Sequence, residues 1–308
     1  MQLHEKRFSF PLKRIAARFT SGGLPLRAVK SRFTLLAVET LQHDIARDGL
    51  KHAAVLFTCN GPMPGSQAPD EKTQRPRKKE EKTMLKNRKN SAFVKACRKA
   101  HIEKLNMSHE NKKLVPSDDV DFLIWNIPAR KTCPFRTPHC SEKCYAVKAE
   151  QAYPECLPCR ERNLQESMKD DFIERAVYTI LDRRARSKKK WVVVRIHESG
   201  DFYNQKYANA WLEIIRRCSG ERIKFIAYTK SFPYFDGVKL PKEFKLRASI
   251  WDDTKPEFIE TIKRNGWNIY TAVEQFQKGD KFTRCRCSDC ATCGKCWKNY
   301  KDIRCEIH

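Results

Sequence analysis

Three cysteines follow a short apolar segment at C-x6-C-x3-C spacing, and their type and spacing suit metal chemistry. Cys133, Cys140 and Cys144 lie in the polar residues 132–146, which we call the cysteine loop, after the apolar residues 122–127. Two prolines and a threonine favour an open first half, while Cys140 and Cys144 are four residues apart and can share one face of a helical turn. Three such thiolates suit either an iron–sulfur cluster with one iron free for substrate or a zinc ion completed by a fourth group.

A second group of cysteines lies near the carboxyl end of the sequence, in residues 285–305, which we call the C-terminal cysteine segment. Its members are Cys285, Cys287, Cys290, Cys293, Cys296 and Cys305. The run from Cys287 to Cys296 is C-x2-C-x2-C-x2-C, one residue short of a ferredoxin-type spacing. We expect the four evenly spaced cysteines, Cys287, Cys290, Cys293 and Cys296, to bind the metal. Cys285 and Cys305 are then spare or substitute ligands, and the compact run favours iron–sulfur over zinc.

An isolated C-x2-C pair offers the main alternative for the first group. Cys156 and Cys159, taken with Cys140 and Cys144, make a C-x3-C-x11-C-x2-C pattern typical of a zinc site. The fourteen cysteines cluster at short spacing without a secretory signal pattern. This favours metal ligation in a reducing cytoplasm over disulfides. No apolar run approaches eighteen residues, so we expect no membrane span.

The elements that position these cysteines alternate between strand and helix. Strands are predicted at 122–127, 191–196, 223–228, 244–250 and 267–273, and helices at 160–186, 207–218 and 256–264. Such alternation implies a parallel sheet with right-handed crossovers. The predicted fold is therefore an α/β partial (β/α) barrel with about six parallel strands.

Polar residues gather where the predicted strands end. They are His197, Glu198, Ser199, Gly200, Asp201, Thr229, Lys230, Ser249 and Glu274. Because sites in α/β sheets and barrels lie at the carboxyl ends of the strands, we expect these residues to surround one mouth together with the cysteine loop. Any one of them also suits a structural hydrogen bond, and Ser199 and Asp201 are ordinary residue types for a helix N-cap.

Composition divides the 308 residues into three predicted parts. Residues 1–83 are a basic, weakly ordered extension and linker, residues 84–280 the partial barrel, and residues 281–308 a cysteine-rich metal-binding segment. The formal net charge of +25 suggests nucleic acid or another polyanion as a partner, because basic side chains that neutralise phosphates release counterions. A solvated basic surface is the alternative interpretation.

Several motifs resemble the phage gene product eighty-eight domain family over about residues 105–308. They are the segments 126–129, 132–134, 144–146, 195–203 and 227–231. More distantly, the order of features is similar to that of radical S-adenosylmethionine enzymes. In those enzymes a cluster loop follows strand one, a glycine-acidic motif follows strand two and a threonine-containing turn follows strand three. Strand four ends in a Ser-x-Asp-type sequence. The spacing departs from the usual C-x3-C-x2-C, and Tyr145 follows the last cysteine instead of an aromatic preceding it.

The second resemblance implies a chemistry for the mouth. It implies a 4Fe–4S cluster on Cys133, Cys140 and Cys144. The open iron of this cluster would bind S-adenosylmethionine, and a reductant would supply the cluster with an electron. The residues around that cofactor would be Ser199, Gly200, Asp201, Thr229, Lys230 and Ser249. His197 and Glu198 are then candidates for substrate contact or proton transfer, and the C-terminal cluster is auxiliary or structural. The rival hypothesis is a non-enzymatic protein, stapled by zinc or a cluster, that binds nucleic acid.

Overall fold

The computed structural model describes residues 86–276, 282–285, 289–298 and 301–306. Within them, seven strands form one curled sheet, a half-barrel with the order β1-β2-β3-β4-β5-β7-β6 in which every strand pairing is parallel. The predicted α/β partial barrel is therefore confirmed, with seven strands instead of about six. The predicted extension, residues 1–83, lies outside the described residues.

The strands are short and follow the apolar segments of the sequence closely. They are β1 (Val120–Trp125), β2 (Trp191–Ile196), β3 (Ile223–Thr229), β4 (Phe244–Ile250), β5 (Asn268–Val273), β6 (Thr283–Cys285) and β7 (Ile303–Glu306). Valine and isoleucine dominate β2, where branching at Cβ favours extended backbone. The last two strands, which the sequence did not predict, belong to the C-terminal cysteine segment.

The helices return the chain between most of the strands. They are α1 (86–99), α2 (Pro138–Glu142), α3 (Tyr145–Ala152), α4 (Cys156–Ser167), α5 (Phe172–Arg186), α6 (Gln205–Cys218), α7 (Pro256–Asn265) and α8 (Cys290–Cys293), with a 3-10 helix at Phe232–Phe235. Among them, no helix of the described residues is long and apolar enough to cross a membrane.

One predicted helix, 160–186, is in fact two. α4 ends at Ser167 and α5 begins at Phe172, and Met168, an apolar residue between them, is 54% exposed. Leu164 and Phe172 are both buried and are eight residues apart, a spacing that continues one helical face. The apolar pattern therefore ran through the break without revealing it.

The two faces of the sheet bury different partners, because successive side chains of a strand point to opposite sides. On one face, Trp125 and Phe225 pack with α5 and α6 in the larger hydrophobic core. On the other face, Phe122 and Ile226 pack with Ala291 and with the partly buried Trp297 of the C-terminal cysteine segment. The cysteine-rich end of the chain thus covers the side of the sheet that the helices leave open.

Candidate functional site

The carboxyl ends of β1 to β4 meet at one edge of the sheet. In the parallel register Trp125 lies beside Ile196, Ile196 beside Ala227, and Thr229 beside Ala248. The cysteine loop begins seven residues after the end of β1. The polar residues that we predicted for the mouth follow β2, end β3, lie near the end of β4 or follow β5. The structure therefore places these residues at or just beneath the same edge of the sheet as the cysteine loop.

The three thiols of the cysteine loop interact with one another. Cys133 interacts electrostatically with Cys140 and Cys144, and Cys140 also interacts with Cys144. Burial raises the pKa of Cys133 to about 12, and the Asp201 carboxylate adds to this shift. In the part of the chain that the structure describes, no three His, Cys, Asp or Glu side chains are arranged to hold a single metal ion. The thiols are thus neighbours that do not converge on one point.

The cysteine loop reaches across the mouth to the residues after β4. The backbone N–H of His139 donates to Asp253 Oδ2 at 2.8 Å, and His139 Nδ1 lies 2.7 Å from Asp252 Oδ1. The hydrogen bond with Asp252 raises the pKa of His139. Phe135 packs edge-on against Tyr234, with ring centroids 5.2 Å apart. These contacts fix the loop to the segments that follow β3 and β4.

Asp201 ties the end of β2 to the end of β3. Its buried carboxylate accepts hydrogen bonds from the Thr229 hydroxyl and from the backbone N–H groups of Phe202 at 2.8 Å, Lys230 at 2.9 Å and Ser231 at 3.2 Å. Burial raises the pKa of Asp201, and these hydrogen bonds oppose the shift. Both carboxylate oxygens are therefore already in use within the protein.

The N-cap interpretation of Ser199 and Asp201 is wrong. Asn204 caps α6, because its side chain accepts a hydrogen bond from the backbone N–H of Tyr207 at 2.8 Å. The buried Ser199 donates instead toward Glu150 Oε1, at 3.4 Å. These two polar residues before α6 thus hold the rim together and do not begin the helix.

Gly200 lets the turn after β2 pack against the start of the cysteine loop. Its φ is +79°, and a Cβ atom there would lie 2.4 Å from Ile127 Cγ1 and 2.5 Å from Thr132 Oγ1. No side chain fits between these groups. The space beside Gly200, which we predicted to lie near a cofactor, is filled by Ile127 and Thr132.

His197 lies in an aromatic cluster beneath the rim. Trp125 Nε1 donates to the Tyr207 hydroxyl, which lies 2.9 Å from His197 Nε2 and is hydrogen-bonded to it. Burial, with a smaller effect of Arg195, lowers the pKa of His197 to about 3. His197 Nδ1 has no hydrogen-bond partner among the described residues. The ring is therefore neutral, and Tyr207 is its hydrogen-bond partner.

Glu198 joins the rim to the end of the cysteine loop. Its side chain accepts a hydrogen bond from Asn111, and its carbonyl oxygen accepts one from the hydroxyl of Tyr145, the residue that follows Cys144. Its backbone N–H donates to Asn126 Oδ1 at 2.7 Å. Three separate segments therefore meet at this residue.

Lys230 supplies a buried cation beside the thiols. Its Nζ donates to Ser249 Oγ at 3.1 Å and lies 5.5 Å from the ring centroid of Trp251. Burial lowers the pKa of Lys230, while the neighbouring Cys140 thiol and Asp201 carboxylate oppose the shift. Glu274, the last predicted rim residue, is exposed and interacts with Lys143 of the cysteine loop.

The family of the chain follows from a comparison with protein families. Residues 78–299 match the model of the family described as Gene product 88. The chain belongs to the Gene product 88 family. The predicted resemblance to that phage family is confirmed, with bounds of 78–299 instead of about 105–308. A search of curated proteins and a search of solved structures find no match.

The Gene product 88 match covers the cysteine loop and the C-terminal cysteine segment up to residue 299. In that segment Cys290 and Cys293 are the ends of α8, and Cys296 lies in the following turn. Cys287 lies outside the described residues. Cys285 and Cys305, which we treated as spare, lie directly opposite each other on β6 and β7.

The isolated pair of cysteines in this Gene product 88 chain lies on the first turn of α4. Cys156 interacts with Cys159, with Arg160 and with Glu150. Cys159 Sγ also accepts a hydrogen bond from Asn106 at 3.4 Å. These contacts give the alternative zinc set, which joined the pair to Cys140 and Cys144, no support.

Two groups that sequence reasoning missed hold the rim in place. Asn126 Oδ1 accepts the N–H groups of Glu198 and Ser199, at 2.7 and 3.1 Å. Glu150 Oε1 accepts from Arg160 at 2.8 Å and from the backbone N–H of Ala129 at 2.9 Å. Asn126 lies near the end of the predicted strand 122–127 and directly follows the observed β1, so a polar side chain at a strand end could have marked it. Glu150 lies within a helix, and nothing in its local sequence marks it.

Proposed function

We propose that Cys133, Cys140 and Cys144 hold a 4Fe–4S cluster and that the protein is a radical S-adenosylmethionine-like enzyme. The observation that carries this proposal is the position of three mutually interacting thiols at the carboxyl ends of parallel strands. Sites of α/β folds lie at that edge. The substrate is left open.

The donor set fits such a cluster. Thiolates are the usual protein ligands of iron–sulfur clusters, and each one binds a different iron. The ligands of a cluster therefore lie further apart than the ligands of a single ion. The three thiols of the cysteine loop are neighbours that do not converge on one point, which agrees with the wider spacing. Three ligands leave one iron without a protein group. When bound, the cluster would supply the electron that cleaves S-adenosylmethionine reductively.

The residues of the chain would bind and position the cofactor. The buried ammonium of Lys230, which interacts with Cys140 and Cys133, offsets the negative charge of the thiolates and attracts the carboxylate of a bound amino acid. Ser249 orients that ammonium. Asp201 acts as a positioning residue in this proposal, because its hydrogen bonds hold the Lys230 backbone.

The buried histidine has a positioning role in the same proposal. His197 is neutral and bonded to Tyr207, beneath the rim. Its ring supports the turn that carries Glu198, which is partly exposed and remains the candidate for substrate contact.

Metal analysis of the full chain tests the proposal. After anaerobic purification and reconstitution, we expect iron and acid-labile sulfide in comparable amounts. Separate replacement of Cys133, Cys140 and Cys144 with alanine should remove one cluster. Cys159→Ala is the matched control, since Cys159 is a partly exposed thiol outside the cysteine loop and should leave the iron content unchanged. Zinc without sulfide would contradict the proposal.

A second candidate function rests on the formal net charge of +25. A metal-stapled protein without catalytic activity could use that charge to bind nucleic acid, and its affinity would then fall steeply with salt. Zinc in the purified protein together with salt-dependent binding of nucleic acid would favour this candidate.

A further inference from the structure

We propose a second thiolate-ligated metal centre whose ligands are Cys285, Cys290, Cys296 and Cys305. This set differs from the evenly spaced cysteines that the sequence favours, since it replaces Cys287 and Cys293. The proposal does not depend on the function of the cysteine loop, because it concerns the opposite end of the described chain.

The strand register brings the first two ligands together. β6 and β7 pair in parallel, and Cys285 is the direct partner of Cys305. The two thiols also interact electrostatically. They are twenty positions apart in the sequence, so their spacing alone gave no reason to pair them.

The other two ligands, Cys290 and Cys296, lie at the start of α8 and in the turn that follows it. Asp289 begins α8 by accepting from the backbone N–H of Ala291 at 2.9 Å, and the backbone N–H of Cys290 donates to the carbonyl oxygen of Lys113 at 2.9 Å. Cys290 interacts with Cys296. Each of these two thiols also interacts with Cys285. Cys285 therefore interacts electrostatically with the three other members of the set, and it is the register partner of Cys305.

The surroundings resemble those of ligating sulfur atoms. Tyr228 interacts electrostatically with Cys296, and Tyr270 with Cys305. The two tyrosine rings meet edge to face with centroids 4.5 Å apart, and the guanidinium of Arg195 lies 3.7 Å from the centroid of Tyr228. Polar groups beside ligating side chains orient metal-bound residues and tune their basicity.

A buried arginine holds the same segment against the sheet. Arg247 of β4 is 1% exposed and donates to the carbonyl oxygens of Cys296 at 2.9 Å, Lys301 at 3.1 Å and Lys295 at 3.2 Å. The backbone around Cys296 is therefore fixed before any metal binds. Because no three described side chains are arranged to hold a single ion, the group that suits these four thiols is a four-iron cluster, in which each thiolate binds a different iron. With all four irons ligated, the centre is closed to substrate and staples β6, β7 and α8 together.

Alkylation of the native protein tests the ligand set without any substitution. Metal-loaded full-length protein is treated with iodoacetamide before and after a chelator removes the metal, and modified cysteines are identified by mass spectrometry. We expect Cys285, Cys290, Cys296 and Cys305 to react only after chelation, whereas Cys293 reacts in both states. Protection of Cys293 together with reaction of Cys305 in the loaded protein would overturn the proposal.

Two matched variants give an independent result. Cys305→Ala should lose the iron or zinc of the second centre and keep that of the cysteine loop, while Cys293→Ala should retain both. Iron, zinc and sulfide are measured together, so the outcome does not depend on which metal is bound. Metal loss in Cys293→Ala, or full retention in Cys305→Ala, would contradict the assignment.

Discussion

The cysteine loop and the C-terminal cysteine segment carry the same side chain in different surroundings. The thiols of the loop lie at the strand ends, beside the buried cation of Lys230, and the loop is fixed by contacts such as that of His139 with Asp253. The thiols of the segment lie against a face of the sheet, where Arg247 fixes their backbone. We therefore propose an open centre for the three thiols at the edge and a structural centre for the four thiols on the covered face.

The largest expected effect comes from the residue that anchors the C-terminal cysteine segment. Arg247→Met leaves three carbonyl oxygens without their buried donor, so it should lower the free energy of unfolding by about 3–5 kcal/mol. Hydrogen exchange should rise first in residues 290–306. Chemical denaturation of both proteins measures the loss.

Arg264→Met is the control for that substitution. Arg264 pairs with Asp236 in an exposed salt bridge, which contributes about 0–1 kcal/mol. Equal destabilisation by the two substitutions would mean that Arg247 does not anchor the segment. Loss of the iron of the cysteine loop in Arg247→Met would mean that the two centres are not independent.

The next effect is the pH dependence of stability that comes from His197, which is buried beneath the rim. Burial lowers the pKa of His197 from 6.5 in an unfolded chain to about 3, so the unfolded state binds the additional proton between these values. Stability should therefore fall as the pH falls below 6.5. Between pH 7 and pH 4.5 the contribution of this one group is about 2–3 kcal/mol.

Urea unfolding at both pH values measures that contribution. His197→Gln should have the shallower pH dependence by that amount, since glutamine does not titrate. His101→Gln is the control, because His101 also has a positive φ but is exposed, and it should keep the wild-type dependence. The same pH dependence in wild type and His197→Gln would show that His197 is not held neutral.

The smallest expected difference between a variant and its control tests how tightly the cysteine loop packs on the turn after β2. Gly200→Ala places Cβ 2.4 Å from Ile127 Cγ1, whereas Gly237 has a similar φ of +70° and no atom within 4 Å of its added Cβ. Both substitutions cost about 1–2 kcal/mol of left-handed backbone strain. Gly200→Ala should cost about 1–3 kcal/mol more because of overpacking. Equal melting temperatures for the two variants would show that the turn and the loop are not in close contact.

Much of the fold could be predicted because its information is local. The observed bounds of β2 and β4 are those predicted, since apolar residues mark these strands along their length. β6 and β7 were missed because they contain arginine, cysteine and glutamate and pair only with distant residues. The break between α4 and α5 was missed because the apolar spacing continues through it.

Within the candidate site too, some features could be predicted from the sequence and others depend on tertiary contacts. The strand-end rule depends on chain order alone, and it brought Glu198 to Asp201, Thr229 and Lys230 to one edge of the sheet, whereas His197 lies buried beneath that edge. The partners of Asp201, in contrast, come from the next strand, and no local pattern announces that its carboxylate is fully used. Likewise, even spacing favoured Cys293, whereas strand register favours Cys305. The edge of the sheet could thus be predicted from chain order, whereas the partners of each side chain there depend on tertiary contacts.

Calorimetric titration of S-adenosylmethionine into the reduced, anaerobic protein tests the central claim most directly. The wild type should bind the cofactor, and Cys305→Ala should bind it equally well. Cys133→Ala should lose binding with its cluster, and Lys230→Met should bind about tenfold or more weakly, because it lacks the charge-assisted hydrogen bond. Lys242→Met, which removes an exposed ammonium, is the control and should match the wild type. A wild-type protein that carries its cluster and does not bind the cofactor, or binding that survives in Cys133→Ala, would contradict an open centre at the cysteine loop.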